Sequence, residues 1–318
     1  MPQITFQICS WKAPESLKDT LRSIAIQPHP YLFETLLVNN GFSDEKAALL
    51  LKEFPAINLR IIREPTPGLA HARFAGFKNA CGEVFVLLDD DNTLEETFVS
   101  ELVGLLDTYP RTGGICPLIL PKWEGVTPPS WVQDIGLMCL SYTAKDRSEA
   151  RSETRYWPPE AALKAPRPPG GGMIIHRKTV ERYMSHANDP LRRSLDRVGD
   201  QVAGCQDCDI YEQIRYTELG TLQTSRLVIY HQIPTSRCKL GYLLKLNYHI
   251  SFFYIRHLDS YSKRPISPIR EAVNLLKSLV KYVFLALTGR KHVLYCLCIL
   301  VRRAGSFAAR FSAPDSWP

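Results

Sequence analysis

The first 120 residues of this 318-residue chain alternate between short apolar strand signals and helical repeats. Strand and helix signals follow one another at residues 4–9, 14–24, 35–38, 43–54, 57–62, 68–80 and 84–88. Strands joined by helices of about ten residues imply a mostly parallel sheet with helices on both faces. The chain is therefore predicted to be an α/β protein with a Rossmann-like sheet, in which ligands bind beyond the carboxyl ends of the strands.

Charge divides the chain into a body and a tail. Hydrophobic residues make up 45% of the chain, enough to build a core and to exclude disorder as the main state. Residues 1–238 hold 26 basic and 29 acidic side chains, whereas residues 239–310 hold 13 basic and 2 acidic ones. We expect a body over residues 1–240 and a basic, amphipathic helical tail over residues 241–318, suited to an anionic surface.

The tail contains two apolar stretches. Residues 271–287 have a helical period whose apolar face comprises Ala272, Leu276, Leu279, Val280, Val283 and Leu287. Residues 292–301 are apolar all round but would rise only about 15 Å, half of a hydrocarbon core of about 30 Å. Two helices lying in the membrane interface fit better than a span, and a helical pair packed on the body is the alternative. No nucleic-acid recognition motif is present, so we expect no nucleic-acid partner.

The cysteines and the amino terminus indicate in which cellular compartment the protein is expected. Nine cysteines are scattered, mostly in apolar runs, as is typical of reduced, buried thiols in the cytosol. Cys205 and Cys208 form a C-x-x-C pair, but no second pair at similar spacing supports a zinc site. The first ten residues lack the pattern of a signal peptide. We predict a cytoplasmic protein that lies peripherally on the inner face of the membrane.

Three consecutive carboxylates, Asp89, Asp90 and Asp91, follow the apolar strand at 84–88. Their mutual repulsion would be relieved by a divalent cation. Alternation at a strand end would direct Asp89 and Asp91 to one ion while Asp90 points away. Oxygen ligands favour Mg or Mn, ions that usually also hold a nucleotide diphosphate. Spacing alone is equally compatible with a solvated acidic turn or a cap of the helical repeat at 94–106.

Several segments in a fixed order resemble the family-two glycosyltransferases of the GT-A fold, over roughly residues 3–240. No single segment is specific to this family, but the occurrence of all of them in this order is specific. The segments are Ser10–Lys12 after the first strand, Asn39–Asp44, Gly68–Arg73 with Ala80–Glu83, Leu88–Asp91, Gly171–Arg177 and Gly204–Ile210.

The resemblance implies an inverting, polysaccharide-biosynthesis type of enzyme with a nucleotide-diphosphate sugar as donor. Residues 1–120 would form the nucleotide-sugar-binding half and residues 121–240 the acceptor half. The family's acid that contacts the nucleobase is Asn39 here. The implied donor-binding residues are Ser10, Trp11, Asn39, Asp44, Arg73, Asp90 and Arg237, and the implied metal ligands are Asp89, Asp91 and His231.

The same resemblance places the acceptor and the general base. Asp207 matches the carboxylate that removes the proton of the acceptor hydroxyl, and Gln206 stands where the family has Glu. The implied acceptor-binding residues are Trp157, Gly171, Gly172 and Gln206. The acceptor would be a glycan or a lipid-linked glycan, presented at a membrane.

Two other functions are compatible with these residues. A sugar-phosphate nucleotidyltransferase also has an acidic metal site on a Rossmann-like sheet, although residues 10–14 lack the glycines of its usual phosphate loop. A catalytically inactive carbohydrate- or membrane-binding scaffold is the other, because Asn39, Phe74 and Gln206 depart from the family pattern. The chain has no phosphate-loop, dinucleotide, nucleophile-elbow or His-Glu-x-x-His motif, so kinase, dehydrogenase, serine hydrolase and zincin functions lack support.

Overall fold

The structure, a computed structural model, describes residues 4–29, 32–150, 153–186, 195, 202, 204–261 and 267–310. These residues form two compact units. The first unit draws on residues 1–122, 141–187 and 209–232, and the second on residues 123–140, 188–208 and 233–318.

One mixed sheet organises the first unit. Its nine strands, counted over the described residues, are β1 (Ile4–Ser10), β2 (Phe33–Asn39), β3 (Leu59–Arg63), β4 (Val84–Asp89), β5 (Asn92–Leu94), β6 (Thr112–Trp123), β7 (Arg155–Trp157), β8 (Ile174–His176) and β9 (Gly220–Ile233). The order is β3-β2-β1-β4-β8-β6-β9-β5, and β7 pairs with β9.

The four amino-terminal strands are parallel, and β1 lies between β2 and β4. Ile8 is opposite Leu37 on one side and Leu88 on the other, and all three side chains are buried. Continuous apolar strands of this kind belong in a sheet covered on both faces. The predicted α/β fold is therefore confirmed, with its parallel strands where the sequence placed them.

The rest of the sheet is built from antiparallel pairs. β8 is antiparallel to both β4 and β6, and β5 and β7 are antiparallel to β9. The helical repeat predicted from residue 94 begins later than expected, because the segment after the aspartates first forms β5. Residues 92–94 pair with residues 229–231 of β9. The following helix begins only at Phe98.

The helices are α1 (Glu15–Ala25), α2 (Asp44–Glu53), α3 (Leu69–Asn79), α4 (Phe98–Thr108), α5 (Ser130–Gly136), α6 (Arg177–Met184), α7 (Gln206–Glu212), α8 (Leu240–Tyr261), α9 (Pro268–Leu287) and α10 (Val293–Ala309). The residues at their N-termini determine where several of these helices begin. Ser43 caps α2 by accepting a hydrogen bond from the Lys46 N–H, and Gly68 enters α3 with φ of +135°.

In the second unit, α10 packs closely on α8. A Cβ added to Gly305 would lie 2.3 Å from the Tyr248 carbonyl oxygen, so only glycine permits this approach. The Ser251 and Ser306 hydroxyls hydrogen-bond across the contact, and Arg310 pairs with Asp259. The apolar stretch at 292–301 is thus a packed helix, with Cys296, Cys298 and Ile299 buried.

Helix α9 differs from α10. Its predicted apolar face is exposed, at 62% for Leu276, 66% for Val280 and 82% for Leu287. No helix among the described residues has the length and apolar character that crossing a bilayer requires. Association of the tail with a membrane stays a prediction.

Candidate functional site

The candidate site lies where three neighbouring parallel strands end. Ser10 closes β1, Asn39 closes β2 and Asp89 closes β4. The register sets Ser10 opposite Asn39, and Cys9 opposite Asp89. The carboxyl edge of a parallel sheet is where α/β proteins bind ligands, so the fold places the predicted residues at the expected edge.

The acidic turn, residues 89–92, is held from several sides. The Ser10 hydroxyl donates to Asp90 Oδ2 at 2.5 Å and accepts the Ala13 N–H at 3.0 Å. The Asp89 N–H donates to Asn92 Oδ1 at 3.0 Å, and the Gln232 N–H donates to the Asp91 carbonyl oxygen at 2.8 Å. The turn therefore has a fixed backbone, and its three carboxylates have different neighbours.

His231 is brought to the turn by strand pairing. Asn92 of β5 is opposite His231 of β9, and His231 Nε2 lies 3.5 Å from Asp91 Oδ1. The side chains are 4% and 13% exposed. Two largely buried side chains this close together are placed to share one cation.

Gly171 and Gly172 were predicted on the acceptor side, and the structure places Gly171 against the acidic turn. A Cβ added to Gly171 would lie 2.2 Å from Asp89 Oδ2 and 3.0 Å from Asn92 Oδ1. Gly172 has φ of +107°, and a Cβ there would lie 2.7 Å from the Ile119 side chain. The pair lets the backbone lie directly beside the carboxylate of Asp89.

The residues of the acidic turn fit a hard divalent cation. Asp89 and Asp91 offer carboxylate oxygens and His231 an imidazole nitrogen, a donor set that suits Mg²⁺ or Mn²⁺. The Gly171 backbone packs against the Asp89 carboxylate and the Asn92 amide, where no larger residue would fit without movement. Over the described residues, three possible ligand atoms lie within 4.8 Å of one another only at Cys205, Asp207 and Cys208. Asp89, Asp91 and His231 thus form a looser group than that.

A buried arginine, Arg73, lies in the same region as the acidic turn. Arg73 on α3 is 4% exposed, and its carbonyl oxygen accepts from the Gln7 side chain at 3.0 Å. Burial raises the pKa of the Cys9 thiol to about 12, although the Arg73 charge acts to lower it and the charges of Asp89 and Asp90 act to raise it. Cys9 is therefore a neutral thiol at physiological pH, and the charges of Arg73, Asp89 and Asp90 all act on it.

The turn after β2 uses the side chain of Asn39 internally. Its Oδ1 accepts the N–H groups of Gly41 and Phe42, and its Nδ2 donates to the Phe42 carbonyl oxygen at 2.8 Å. Gly41 lies under Trp11, since a Cβ there would be 2.9 Å from the indole ring. Trp11 is 49% exposed, so its ring is supported on one side and open to solvent.

Two other predicted residues of the first unit have neighbours of their own. Asp44, at the start of α2, is exposed and accepts two hydrogen bonds of 3.2 Å from Arg63 Nη1 at the end of β3. Trp157 lies in β7, is 8% exposed and is covered by the Arg155 guanidinium at 4.7 Å. The indole is therefore largely buried, with a guanidinium group against one face of the ring.

Gln206, Asp207 and Arg237 lie in the second unit. Gln206 is buried at the first position of α7, and Asp207 follows it half-buried, with its Oδ1 accepting the Cys208 N–H at 2.9 Å. Arg237 is half-buried in a 3-10 turn at Thr235–Cys238.

Two residues that shape the site escaped the sequence analysis. Asn92 accepts from the Asp89 N–H, and Gln232 donates to the Asp91 carbonyl oxygen. Asn92 directly follows the aspartates, so an Asx-type turn could have been inferred there. Gln232 had no local signal, because its role depends on the pairing of β5 with β9.

Comparison with known proteins identifies the family to which the chain is related. The family model described as glycosyl transferase family 2 matches residues 5–178. The glucosyl-dolichyl phosphate glucuronosyltransferase of Haloferax volcanii is 22% identical over 130 residues, which are 40% of this chain and 41% of that protein. The chain thus matches less than half the length of this curated relative.

Solved structures share the fold. The mannosyltransferase PcManGT from Pyrobaculum calidifontis, solved with GDP-Man and Mn²⁺, has a TM-score of 0.55 at 14% identity, covering 98% of this chain and 73% of that one. TarS 1–349 of S. aureus, solved with UDP-GlcNAc, has a TM-score of 0.50 at 12% identity, covering 97% and 90%. At such identities the likeness shows the GT-A fold alone.

Proposed function

We propose, because the chain belongs to glycosyl transferase family 2, that it transfers a sugar from a nucleotide-diphosphate donor to an acceptor hydroxyl. The observation that carries the proposal is the site at the carboxyl edge of β1, β2 and β4. There Ser10, the acidic turn, Gly171 and His231 come together. Related structures hold UDP-GlcNAc and GDP-Man, which supports a nucleotide sugar as the donor class.

Asp89, Asp91 and His231 would hold Mg²⁺ or Mn²⁺. Bound there, the cation would neutralise charge on the departing diphosphate. Ser10 fixes Asp90, which we propose as a donor contact, and Trp11 offers an open aromatic face to the donor. Arg73 supplies positive charge beside the aspartates, and Asp44 and Arg237 are the outer donor contacts that we propose.

Asp207 is the general base in this proposal. Its carboxylate takes the proton of the acceptor hydroxyl as the acceptor oxygen attacks the anomeric carbon. The bond between that carbon and the phosphate oxygen breaks, and its electron pair leaves with the nucleoside diphosphate. Attack from the face opposite the leaving group inverts the anomeric centre. The proposed acceptor contacts are Trp157, Gly171, Gly172 and Gln206.

The acceptor that we propose is a glycan, free or lipid-linked, in polysaccharide biosynthesis. The relative from Haloferax volcanii is named for a dolichyl phosphate substrate, which supports a lipid-linked acceptor. The basic tail supports a peripheral position on the cytoplasmic face of a membrane, where such an acceptor would be presented.

The donor site is tested by thermal stabilisation of the full chain with a panel of nucleotide sugars, including UDP-GlcNAc and GDP-Man, with and without Mn²⁺. A donor should raise the melting temperature only with the cation, since ligand binding to the native state stabilises it. Asp91→Asn should remove this shift, and Asp107→Asn, an exposed aspartate on α4, should keep it. A shift that ignores both the cation and Asp91 would contradict the proposal.

The base is tested separately. Asp207→Asn keeps the oxygen that accepts the Cys208 N–H, so the local fold should survive. Transfer should fall by about a hundredfold or more, in line with the contribution of a general base, while donor stabilisation persists. Full transfer by this variant would exclude Asp207. Release of pyrophosphate from a nucleoside triphosphate and a sugar phosphate would instead identify a nucleotidyltransferase, and donor binding without turnover an inactive scaffold.

A further inference from the structure

Helix α9 shows an inverted burial pattern. A surface helix of a folded protein normally buries its apolar stripe and exposes its polar face. In α9 the buried positions are Glu271, at 5% exposure, and Ser278, at 9%. The exposed stripe comprises Ile269, Val273, Leu276, Leu279, Val280, Val283, Phe284 and Leu287, which are 42–82% exposed.

The stripe is continuous and long. At 100° per residue, Ile269, Leu276, Val280 and Leu287 fall within a narrow sector, and Glu271 and Ser278 lie on the opposite side. Residues 269–287 of a helix extend about 27 Å. The result is a straight apolar ridge that faces away from the packed side of the helix.

Basic side chains flank the ridge, and residues 267–310 place no acidic side chain beside it. Lys277, Lys281 and Arg270 fall on one flank of the stripe, and Arg290 lies over the Phe284 ring at 5.6 Å, at the carboxyl-terminal end. In residues 267–310 the sequence has eight basic side chains and one acid, the buried Glu271. An apolar ridge edged by exposed cations is complementary to a surface that is negatively charged outside and hydrocarbon inside.

We propose that α9 docks in the plane of an anionic phospholipid bilayer, with the ridge from Ile269 to Leu287 among the acyl chains. Lysine and arginine on the polar flank are typical of interfacial helices, and their long stems let the charge reach the headgroups. Protein–protein interfaces are instead depleted in lysine. The inference concerns docking alone and holds whether or not the chain transfers a sugar.

The test uses the full chain in vesicle flotation. Vesicles of pure phosphatidylcholine are compared with vesicles in which phosphatidylglycerol replaces about one third of it, since anionic lipid should add attraction for each cation near the surface. The wild type should float with the anionic vesicles and much less with the neutral ones. Failure to bind the anionic vesicles would overturn the proposal.

A triple variant removes the ridge without touching the core. Leu276→Gln, Val280→Gln and Leu287→Gln change three exposed side chains, and glutamine keeps helix propensity. Binding to anionic vesicles should fall by at least about tenfold, because each buried aliphatic side chain contributes to insertion. The matched control carries Ile26→Gln, Leu49→Gln and Val126→Gln, three side chains that are 58%, 65% and 89% exposed elsewhere. Equal losses in both variants would contradict docking through α9.

A charge variant and two further readouts complete the test. Lys277→Glu with Lys281→Glu should weaken binding to anionic vesicles and leave the weak binding to neutral ones unchanged. Circular dichroism melting should show that all variants remain folded. Sedimentation velocity detects the competing occupant, a second copy of the chain: if the ridge variant dissociates a dimer while vesicle binding is unchanged, the ridge is a self-association surface and the proposal is wrong.

Discussion

The acidic turn of the first unit and helix α9 of the second depart from the usual rules of folding in opposite ways. The turn concentrates three half-buried carboxylates, although charges of one sign repel. Helix α9 exposes an apolar ridge that a stable fold would be expected to cover. Both departures cost stability, and a ligand would relieve each of them: a cation with a diphosphate at the turn, and hydrocarbon at the ridge. Where a fold gathers like charges or exposes an apolar face, function is the leading explanation.

The largest expected effect is that a variant in one region abolishes the activity of that region and leaves the activity of the other region intact. Asp91→Asn should lower sugar transfer by about a hundredfold or more, since Asp91 is a proposed ligand of the cation that would bind the diphosphate. The same variant should float with anionic vesicles as the wild type does. The triple variant of the α9 ridge should bind anionic vesicles poorly but transfer sugar to a soluble acceptor as the wild type does. If Asp91→Asn also abolished vesicle binding, the two regions would be coupled, contrary to the comparison.

Gly305→Ala tests the packing that holds the second unit together. The added Cβ would lie 2.3 Å from the Tyr248 carbonyl oxygen, and backbone must move to accept it. We expect a loss of about 1–3 kcal/mol in the free energy of unfolding, as for overpacked cores. Gly241→Ala is the control, because a Cβ there meets nothing within 4 Å. Urea denaturation measures both, and equal stabilities would show that α8 and α10 can separate freely.

Gly171→Ala is the corresponding probe of the first unit. Its Cβ would approach Asp89 Oδ2 to 2.2 Å, so the carboxylate must turn away. We expect Mn²⁺-dependent donor affinity to fall by about tenfold, which corresponds to about 1.4 kcal/mol. Thermal stability without donor should change less. An unchanged donor titration would mean that Asp89 does not hold the cation in its present orientation.

A smaller, pH-dependent effect is expected at His176, away from the turn. Burial lowers the pKa of His176, whose Nδ1 caps α6 by accepting the Lys178 N–H. A histidine with a depressed folded pKa stabilises the fold above its unfolded pKa of about 6.5, and this stability is lost as pH falls. His176→Asn keeps a capping acceptor that does not titrate. Its unfolding free energy should therefore fall less than that of the wild type between about pH 7.5 and 5.5.

The sequence predicted the first unit better than the second. Strands β1 to β4 and helices α1 to α3 follow from local periodicity and turn residues, and they carry the motifs that identify the family. The antiparallel part of the sheet was harder, because β5 has three residues and its pairing with β9 joins segments more than 130 positions apart. That Gly171, a predicted acceptor contact, lies beside Asp89 was likewise not evident from the sequence.

The tail shows a different limit of sequence reasoning. The periodicity of residues 271–287 correctly identified an apolar face, but periodicity does not say whether a face is covered. Helix α10 is covered because Gly305 and Ser306 let it approach α8, a long-range match that no local window contains. The sequence pattern indicates the long helix α8, Leu240–Tyr261, only as part of a helical tail.

The carboxamide of Asn39 gives the pocket a built-in constraint on redesign. Its amino group donates to the Phe42 carbonyl oxygen, a bond that an ionised carboxylate has no proton to make. Installing the acid usual in the family would set two oxygens against each other and loosen the loop that supports Trp11. An engineer who wishes to retune nucleobase preference would therefore do better to begin at the indole, whose open face can be altered while the scaffold beneath it stays rigid.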